Sequence, residues 1–185
     1  MSRMGILDFF KPKRLPPPKI DDLYKLPAAS VTMGKLNVEP TGKAGMCFRS
    51  SGDMKSEEMK SGILNILENK SFLASHKVEG DQYGFTWVLI DSDSLANAVS
   101  NVYMASQLLI EGGFSDHITA AIFRFEQGDQ PVYWVYNYRR AAFYPFAPRG
   151  KERDSQLEYR LRLLIMEELP VDSLDYWFPI WGIPF

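Results

Sequence analysis

Between residues 136 and 149 the chain interleaves aromatic rings with arginines, residue types that together can bind a partner. Rings that alternate with guanidinium groups can stack on bases and pair with phosphates, as in single-strand nucleic-acid binders. The same residue types are enriched at the energetic centres of protein–protein interfaces. In a structural interpretation, alternate rings fill the core and the arginines flank a strand end. The candidate partner-binding residues are Tyr138, Arg139, Arg140, Phe143, Tyr144, Phe146 and Arg149.

The remaining reactive side chains form no recognisable catalytic or metal-binding motif. The histidines and the cysteine are His76, His117 and Cys47, and no two of them have the spacing of metal ligands. Neither a G-x-S-x-G elbow nor a glycine-rich phosphate loop occurs. Cys47 lies far from both histidines in sequence, so we expect a buried filler and not a nucleophile. We predict no catalytic residue, no metal site and no cofactor.

The first 19 residues differ in composition from the rest of the chain. An apolar cluster is followed at once by cations, which is typical of an anchor at a membrane interface. These residues are Ile6, Leu7, Phe9, Phe10, Lys11, Lys13 and Arg14. Five cations and one acid give the segment a formal charge of +4, which leaves −6 on the remainder of a chain of net charge −2.

Two interpretations of this arm stay open. It contacts a membrane or a partner, or it docks on its own domain or on a second copy of the chain, and we favour docking. Self-association is therefore compatible with the sequence. Pro16, Pro17 and Pro18 then predict a stiff, extended linker, because proline fixes φ and removes the backbone donor.

Length and composition limit the remaining possibilities. The chain of 185 residues, 45% of them hydrophobic, is long enough for one core, so we predict an arm over 1–19 and a single domain over 20–185. A net charge of −2 argues against binding nucleic acid over the whole surface. One cysteine and no leader-like start favour a reducing cytoplasm. The apolar runs are too short to cross a bilayer, so any membrane contact would be peripheral.

Hydrophobic periodicity indicates the elements that must position the arginine cluster. Alternating apolar residues predict strands over 44–50, 72–79, 83–91, 118–125 and 132–138. Spacings of three and four residues predict helices over 56–70, 94–111 and 154–169, with Ser56 and Ser155 as first-turn caps. A helical pattern interrupted by Pro27 covers 21–36, and the EPTG segment at 39–42 predicts a turn.

This order of elements predicts an α+β fold. We expect a mostly antiparallel twisted sheet with helices packed on it, an extended N-terminal arm and a docked aromatic C-terminal tail. The tail is the segment WFPIWGIPF at 177–185, and docking is favoured because large exposed aromatic patches are uncommon on soluble monomers.

Five blocks of the sequence resemble the PspA-associated protein family PspAB, prokaryotic proteins linked to the phage-shock membrane-stress system. They are LPPPKIDDLYKL (15–26), AGMCFRS (44–50), DQYGFTWVLI (81–90), YRRAAFYPFAPRG (138–150) and ELPVDSLDYWFPIWGIPF (168–185). The resemblance spans nearly the whole chain. It implies association with a PspA-like protein partner, and it carries over no catalytic residues.

We therefore predict a non-enzymatic adaptor of a PspA-like envelope or membrane stress response, located in the cytoplasm and without a cofactor. The contacts would be made through 138–149 and through the arm at 6–14, the latter at the inner face of the membrane. One alternative is a small-ligand-binding protein or an enzyme with a site around Arg139 and Arg140, because carboxylates that meet only in space are invisible in a sequence. Single-stranded nucleic-acid binding is the other alternative, although the net charge leads us to expect no nucleic acid.

Overall fold

The computed structural model describes residues 18–50 and 54–185. Four α-helices are present in these ranges: α1 (Leu26–Met33), α2 (Ser56–Asn69), α3 (Leu95–Leu109) and α4 (Ser155–Ile165). The strands of the main sheet are β1 (Glu39–Arg49), β2 (His76–Gly80), β3 (Phe85–Asp91), β4 (Ile118–Gln127), β5 (Gln130–Asn137) and β6 (Ala142–Phe146). A small hairpin of β7 (Pro148–Arg149) and β8 (Glu152–Arg153) precedes α4.

The six main strands lie in the order β2-β3-β1-β4-β5-β6, and each neighbouring pair is antiparallel. Short connections form the β2–β3 and β4–β5 hairpins, as expected for antiparallel neighbours. The predicted α+β fold is confirmed. Strand β3 is apolar on both faces and lies inside the sheet, because Val88 and Ile90 face one buried cluster while Trp87 faces the other.

The two faces of the sheet are covered by different kinds of structure. The helix face packs against buried residues of all four helices, for example Met33, Ile63, Val102 and Leu161. The tail face carries Trp87, Ile122, Val135 and Tyr144, covered by Trp177, Ile180, Ile183 and Phe185 of the tail. Among the described residues, no helix contributes to the buried cluster on the tail face.

In the structure the irregular segment after α4 extends over 170–185, which we call the tail from here on, and hydrogen bonds tie it to the sheet at two places. The Phe143 N–H donates to Pro170 O at 2.7 Å, and the Asp172 N–H donates to Phe143 O at 2.8 Å. At the other end, the Tyr133 hydroxyl donates to Phe185 O at 2.9 Å. The predicted docking of the C-terminal tail is therefore confirmed.

The predicted turn at 39–42 is wrong, because this segment is the start of β1. The pairing of β1 with β4 shifts between Pro40 and Ala44, so the turn residues form an irregularity within the strand. Gly42 is required there. Its φ is +79°, and a Cβ would lie 2.1 Å from Ser92 O.

Two of the predicted helix caps are also wrong, although the helices exist. Lys55 occupies the N-cap of α2 and makes no side-chain cap hydrogen bond. Asp154, one residue before the predicted Ser155, caps α4 by accepting a hydrogen bond from Leu157 N at 3.0 Å. Glu158 is buried and contacts the strands instead of the helix start.

Candidate functional site

The turn between β5 and β6 carries the first two predicted arginines. The side-chain oxygen of Asn137 accepts hydrogen bonds from the N–H groups of Arg139 and Arg140, at 3.1 and 3.3 Å. Ala141 follows with φ of +51°, in the left-handed region, before the chain enters β6. The turn therefore fixes where both guanidinium groups leave the sheet.

Arg140 forms an ion pair with the C-terminal tail. Its guanidinium donates two hydrogen bonds to the carboxylate of Asp172, with Nη2 2.8 Å from Oδ1, and stacks over the ring of Tyr176. Asp172 is 5% exposed, and its hydrogen bond raises the pKa of Arg140. Because bidentate arginine–carboxylate pairs are geometrically specific, Arg140 fastens the tail to the sheet.

A second arginine, not among the predicted site residues, fastens the tail further along. Arg153 pairs with the buried carboxylate of Glu158 at 2.9 Å and donates to Trp177 O at 2.6 Å. Glu158 also accepts a hydrogen bond from Ala147 N at 2.8 Å. Burial raises the pKa of Glu158 above its ordinary value, against the opposing effect of Arg153.

The four rings predicted for the partner surface are buried. Tyr138 and Phe143 belong to the cluster on the helix face, whereas Tyr144 and Phe146 belong to the tail face. The hydroxyl of Tyr138 lies 2.7 Å from Oγ of Ser106, inside the core. A partner that binds at the surface of the folded chain cannot contact these rings. Of the predicted partner-binding residues, only the arginines stay candidates.

Arg139 and Arg149 stay at the surface. Arg139 donates to Asp116 O at 3.5 Å, and Nη1 of Arg149 lies 3.7 Å from Oδ2 of Asp154 with the arginine side chain 75% exposed. Both contacts are long, so both guanidinium groups keep donors for a partner.

The predicted N-terminal arm lies outside the described residues. This applies to Ile6, Leu7, Phe9, Phe10, Lys11, Lys13 and Arg14. At the first described positions, Lys19 O accepts a hydrogen bond from the Tyr136 hydroxyl at 3.0 Å, which holds the chain against β5. The function of the arm stays a prediction.

Among the described residues, the histidine, cysteine and acidic side chains form no metal-binding cluster. In residues 18–50 and 54–185, no group of three or more His, Cys, Asp or Glu side chains could hold a metal ion. Burial raises the pKa of Cys47 to about 12, so the thiol is neutral at physiological pH. The same residues contain no helix that is both long and apolar enough to span a membrane.

A cavity of about 390 Å³ lies on the tail face, between the sheet and the tail. Trp87, Cys47 and Ala120 form a row across β3, β1 and β4 on its sheet side. Ile180 and Trp181 line it from the tail. Its volume and mainly apolar lining are those of a small-molecule site.

Asp81 and Tyr144 are two polar side chains of this cavity. Asp81 is fully engaged, because Oδ1 accepts from two backbone N–H groups and Oδ2 accepts from Trp87 Nε1 at 2.8 Å. Tyr144 is 3% exposed and lines the same cavity. Its phenol is a group that can both donate and accept a hydrogen bond.

A smaller pocket of about 300 Å³ adjoins this cavity, and Thr119 and Asn137 line both. Arg49 and Arg139 supply two cations to the smaller pocket, and Asp116 supplies one carboxylate. An apolar cavity thus lies next to a pocket with an excess of positive charge. We call these the apolar cavity and the cationic pocket.

Three exposed rings surround the apolar cavity and form what we call the aromatic rim. Tyr83 is 59% exposed, Phe178 57% and Trp181 39%. Singly exposed rings are common on surfaces, whereas rings grouped around one cavity are typical of a surface that contacts another molecule. Sequence reasoning identified the tail composition but missed Tyr83, Asp81 and Arg49, because they come from separate loops and strands without a shared motif.

Comparison with known proteins identifies the family of this chain. The family model for PspA associated protein B, PspAB, matches residues 4–185. Neither the curated proteins nor the solved structures include a significant match. The matched region contains the whole sheet, the tail and the arginine turn. The chain therefore belongs to the PspAB family, PspA associated protein B.

Proposed function

We propose that this protein is a non-enzymatic adaptor that binds a PspA-like partner in a cytoplasmic envelope or membrane stress response. The family name supports association with PspA. The aromatic rim is the observation that carries the proposal. Tyr83, Phe178 and Trp181 are exposed on one face, and tyrosine and tryptophan are the residues most enriched where partner binding energy concentrates.

Exposed arginines complement the rim. Arg139 leaves the β5–β6 turn near the cavity, and Arg149 lies on the β7–β8 hairpin with its side chain 75% exposed. Interfaces commonly combine an apolar centre with charged neighbours that steer association. An acidic surface on the partner is the complement we propose for these cations.

Co-purification of the full chain with a PspA-like protein from the same cells tests the adaptor role. Replacing Phe178 and Trp181 together by alanine should weaken capture by at least about tenfold, because hot-spot truncations cost about 2 kcal/mol or more each. Leu163→Ala is the matched control, since Leu163 is 54% exposed on α4. Unchanged capture by the double variant, or no PspA-like protein in the wild-type sample, would overturn the assignment.

Charge reversal tests the arginines separately from the rim. Arg139→Glu and Arg149→Glu should slow association and increase its sensitivity to salt. Arg160→Glu serves as the control, because Arg160 is exposed on α4 and lines neither pocket. Arg140 is excluded from this set, since its replacement would also break the ion pair with Asp172.

Peripheral membrane contact through the N-terminal arm is a separate part of the proposal. Sedimentation with anionic liposomes should carry down the full chain but not a variant without residues 1–14, because the cations of the arm would meet anionic lipid. Equal sedimentation of both proteins would remove the arm from the proposal and leave the adaptor role untouched.

Of the two alternative functions, the geometry favours small-ligand binding over single-stranded nucleic-acid binding. Single-stranded nucleic-acid binding requires exposed rings for stacking, and four predicted rings are buried. Absence of salt-dependent oligonucleotide binding would dispose of it. A small-ligand site near Arg139 and Arg140 gains a specific observation, since Arg139 lines the cationic pocket beside the apolar cavity.

A further inference from the structure

The apolar cavity and the cationic pocket differ in chemistry and share two lining residues, Thr119 and Asn137. The first is about 390 Å³ and is lined by Trp87, Phe85 and Ile180 among other apolar groups. The second is about 300 Å³ and contains the cations. Because Thr119 and Asn137 line both, the two spaces are neighbours on the same side of the sheet.

Polarity changes from the apolar cavity to the cationic pocket. Asp81, the carboxylate of the apolar cavity, is bonded to Trp87 on β3. Asn137 marks the other end on β5, with β1 and β4 between the two strands. Three strand spacings separate the ends by roughly 14 Å. The Asp81 carboxylate disfavours an anionic group beside it, whereas the cationic pocket, with Arg49 at the end of β1 and Arg139 after β5, favours one.

The cationic pocket offers charge to an anion, and the neighbouring wall of the apolar cavity offers a hydrogen-bond donor. Arg49 and Arg139 exceed Asp116 by one formal positive charge, in a chain whose net charge is −2. Tyr144 lines the apolar cavity from β6, two residues beyond Ala142, which pairs with Asn137. A phenol in that position can donate to a carboxylate.

We propose that the apolar cavity and the cationic pocket form one binding site for a single-chain anionic amphiphile of the fatty-acid type. The hydrocarbon chain lies under the tail against Trp87, and the head group meets Arg49 and Arg139. This inference goes beyond the adaptor role and is tested on the purified chain alone, so failure of either proposal leaves the other standing.

Tryptophan fluorescence of the full chain reports on this site, because Trp87 and Trp181 line the apolar cavity. Titration with dodecanoate below its micelle concentration should give a saturable change. Dodecyltrimethylammonium, with the same chain and opposite charge, should bind at least about tenfold more weakly. Absence of saturation with dodecanoate, or equal affinity for the two ions, would overturn the proposal without any variant.

Substitutions in the cavity and in the pocket test whether dodecanoate binds at the proposed site. Ala120→Phe should abolish the dodecanoate response by filling the cavity, and a thermal transition checks that this variant folds. Arg49→Gln combined with Arg139→Gln should weaken dodecanoate binding by about tenfold. Arg160→Gln is the matched control on α4. The proposal fails if the control and the double variant bind alike.

A vesicle experiment distinguishes a free fatty acid from the chain of a membrane lipid. Anionic phosphatidylglycerol vesicles are sedimented with the protein, with and without excess dodecanoate. Release of the protein by dodecanoate would support the same site taking lipid from a membrane, whereas saturable dodecanoate binding without release would support the free acid as ligand. Vesicle binding in a protein that does not bind free dodecanoate would overturn the proposal.

Discussion

The helix face and the tail face of the sheet are both buried, but they are built differently. Four helices cover the helix face, and their buried side chains interdigitate with Phe123, Trp134 and other strand residues. An irregular C-terminal segment covers the tail face, and it leaves a cavity of about 390 Å³ beside Trp87. The helix face therefore supplies rigidity, while the tail face supplies space and exposed rings.

The difference follows from how each cover is held. A helix satisfies its own backbone hydrogen bonds, so its apolar stripe can press on the sheet along its whole length. The tail has little regular structure, and side chains hold it at separate points, chiefly through Arg140, Arg153 and Tyr133. Between those points the tail does not fill the space above the sheet, and the apolar cavity lies there. Ligand sites belong where packing is incomplete.

Truncating matched phenylalanines on the two faces should give the largest effects. Phe123→Ala on the helix face should reduce the free energy of unfolding by about 4 kcal/mol, within the range for buried phenylalanine. Phe146→Ala on the tail face should cost about 1–2 kcal/mol less, because Trp181 stacks edge-on against this ring, is partly exposed and can move into the space. Denaturant unfolding of both variants measures the difference.

Both phenylalanines are buried, at 0% and 1% exposure, so burial alone predicts similar costs. Equal losses, or a larger loss for Phe146→Ala, would contradict the view that the tail face relaxes more easily. An unchanged denaturant dependence is the control that both variants still unfold in one transition.

Removal of a tail anchor should have the next largest effect. Arg153→Met keeps the apolar stem but leaves Glu158 buried without its cation, at a cost of about 3 kcal/mol. Arg149→Met is the control, and its exposed pair with Asp154 should contribute less than about 0.5 kcal/mol. A comparable change in the two variants would show that Arg153 is a surface residue in solution.

Sequence reasoning recovered the helix face better than the tail face. Period-two and period-3.6 patterns located β3, β4, β5 and three helices, since one buried face repeats regularly in each. The contacts of the tail have no period. Arg140 and Asp172 are 32 residues apart and meet through chain geometry, so the sequence pattern indicated a partner surface where the structure has an ion pair.

Local rules failed where a distant contact determines the conformation. The EPTG segment has turn composition, yet pairing with β4 makes it the start of β1. Ser155 and Glu158 have capping-box spacing, yet Glu158 is taken by Arg153 and Ala147. The sequence also indicated the candidate site only in part: Arg139 was among the predicted residues, but most of its neighbours in the cationic pocket come from two other segments, 49–50 and 116–119.

The pH dependence of stability that arises from ionisation of Cys47 tests whether water reaches the buried thiol on the tail face. Burial raises the pKa of the thiol from 9.0 to about 12 in the folded chain, so its contribution to stability is present below pH 9 and lost as the pH rises from 9 towards 12. Between pH 8 and pH 10 the wild type should lose about 1 kcal/mol more than Cys47→Ala. Parallel pH profiles of the two proteins would indicate that water reaches Cys47 through the cavity.

Gly45→Ala should give the smallest effect, and it concerns the end of the tail. A Cβ at residue 45 would lie 2.6 Å from Cε1 of Phe185, so the ring must move, while alanine in a strand offsets part of that cost. The free energy of unfolding should fall by less than about 1 kcal/mol. Faster proteolytic loss of the tail is the expected readout, because Phe185 closes the cover beside Trp87 and Tyr133.

A double-mutant cycle with Phe185→Ala isolates this contact. Gly45→Ala should be neutral or slightly stabilising once the ring is absent, because the added methyl group then has room. If Gly45→Ala costs the same with and without the Phe185 ring, the strain lies in β1 against Val88 O, 3.3 Å from the added Cβ. Phe185 would then not pack against β1, and the tail would bury less of its face of the sheet than the structure shows. The difference in packing between the tail face and the helix face would be larger.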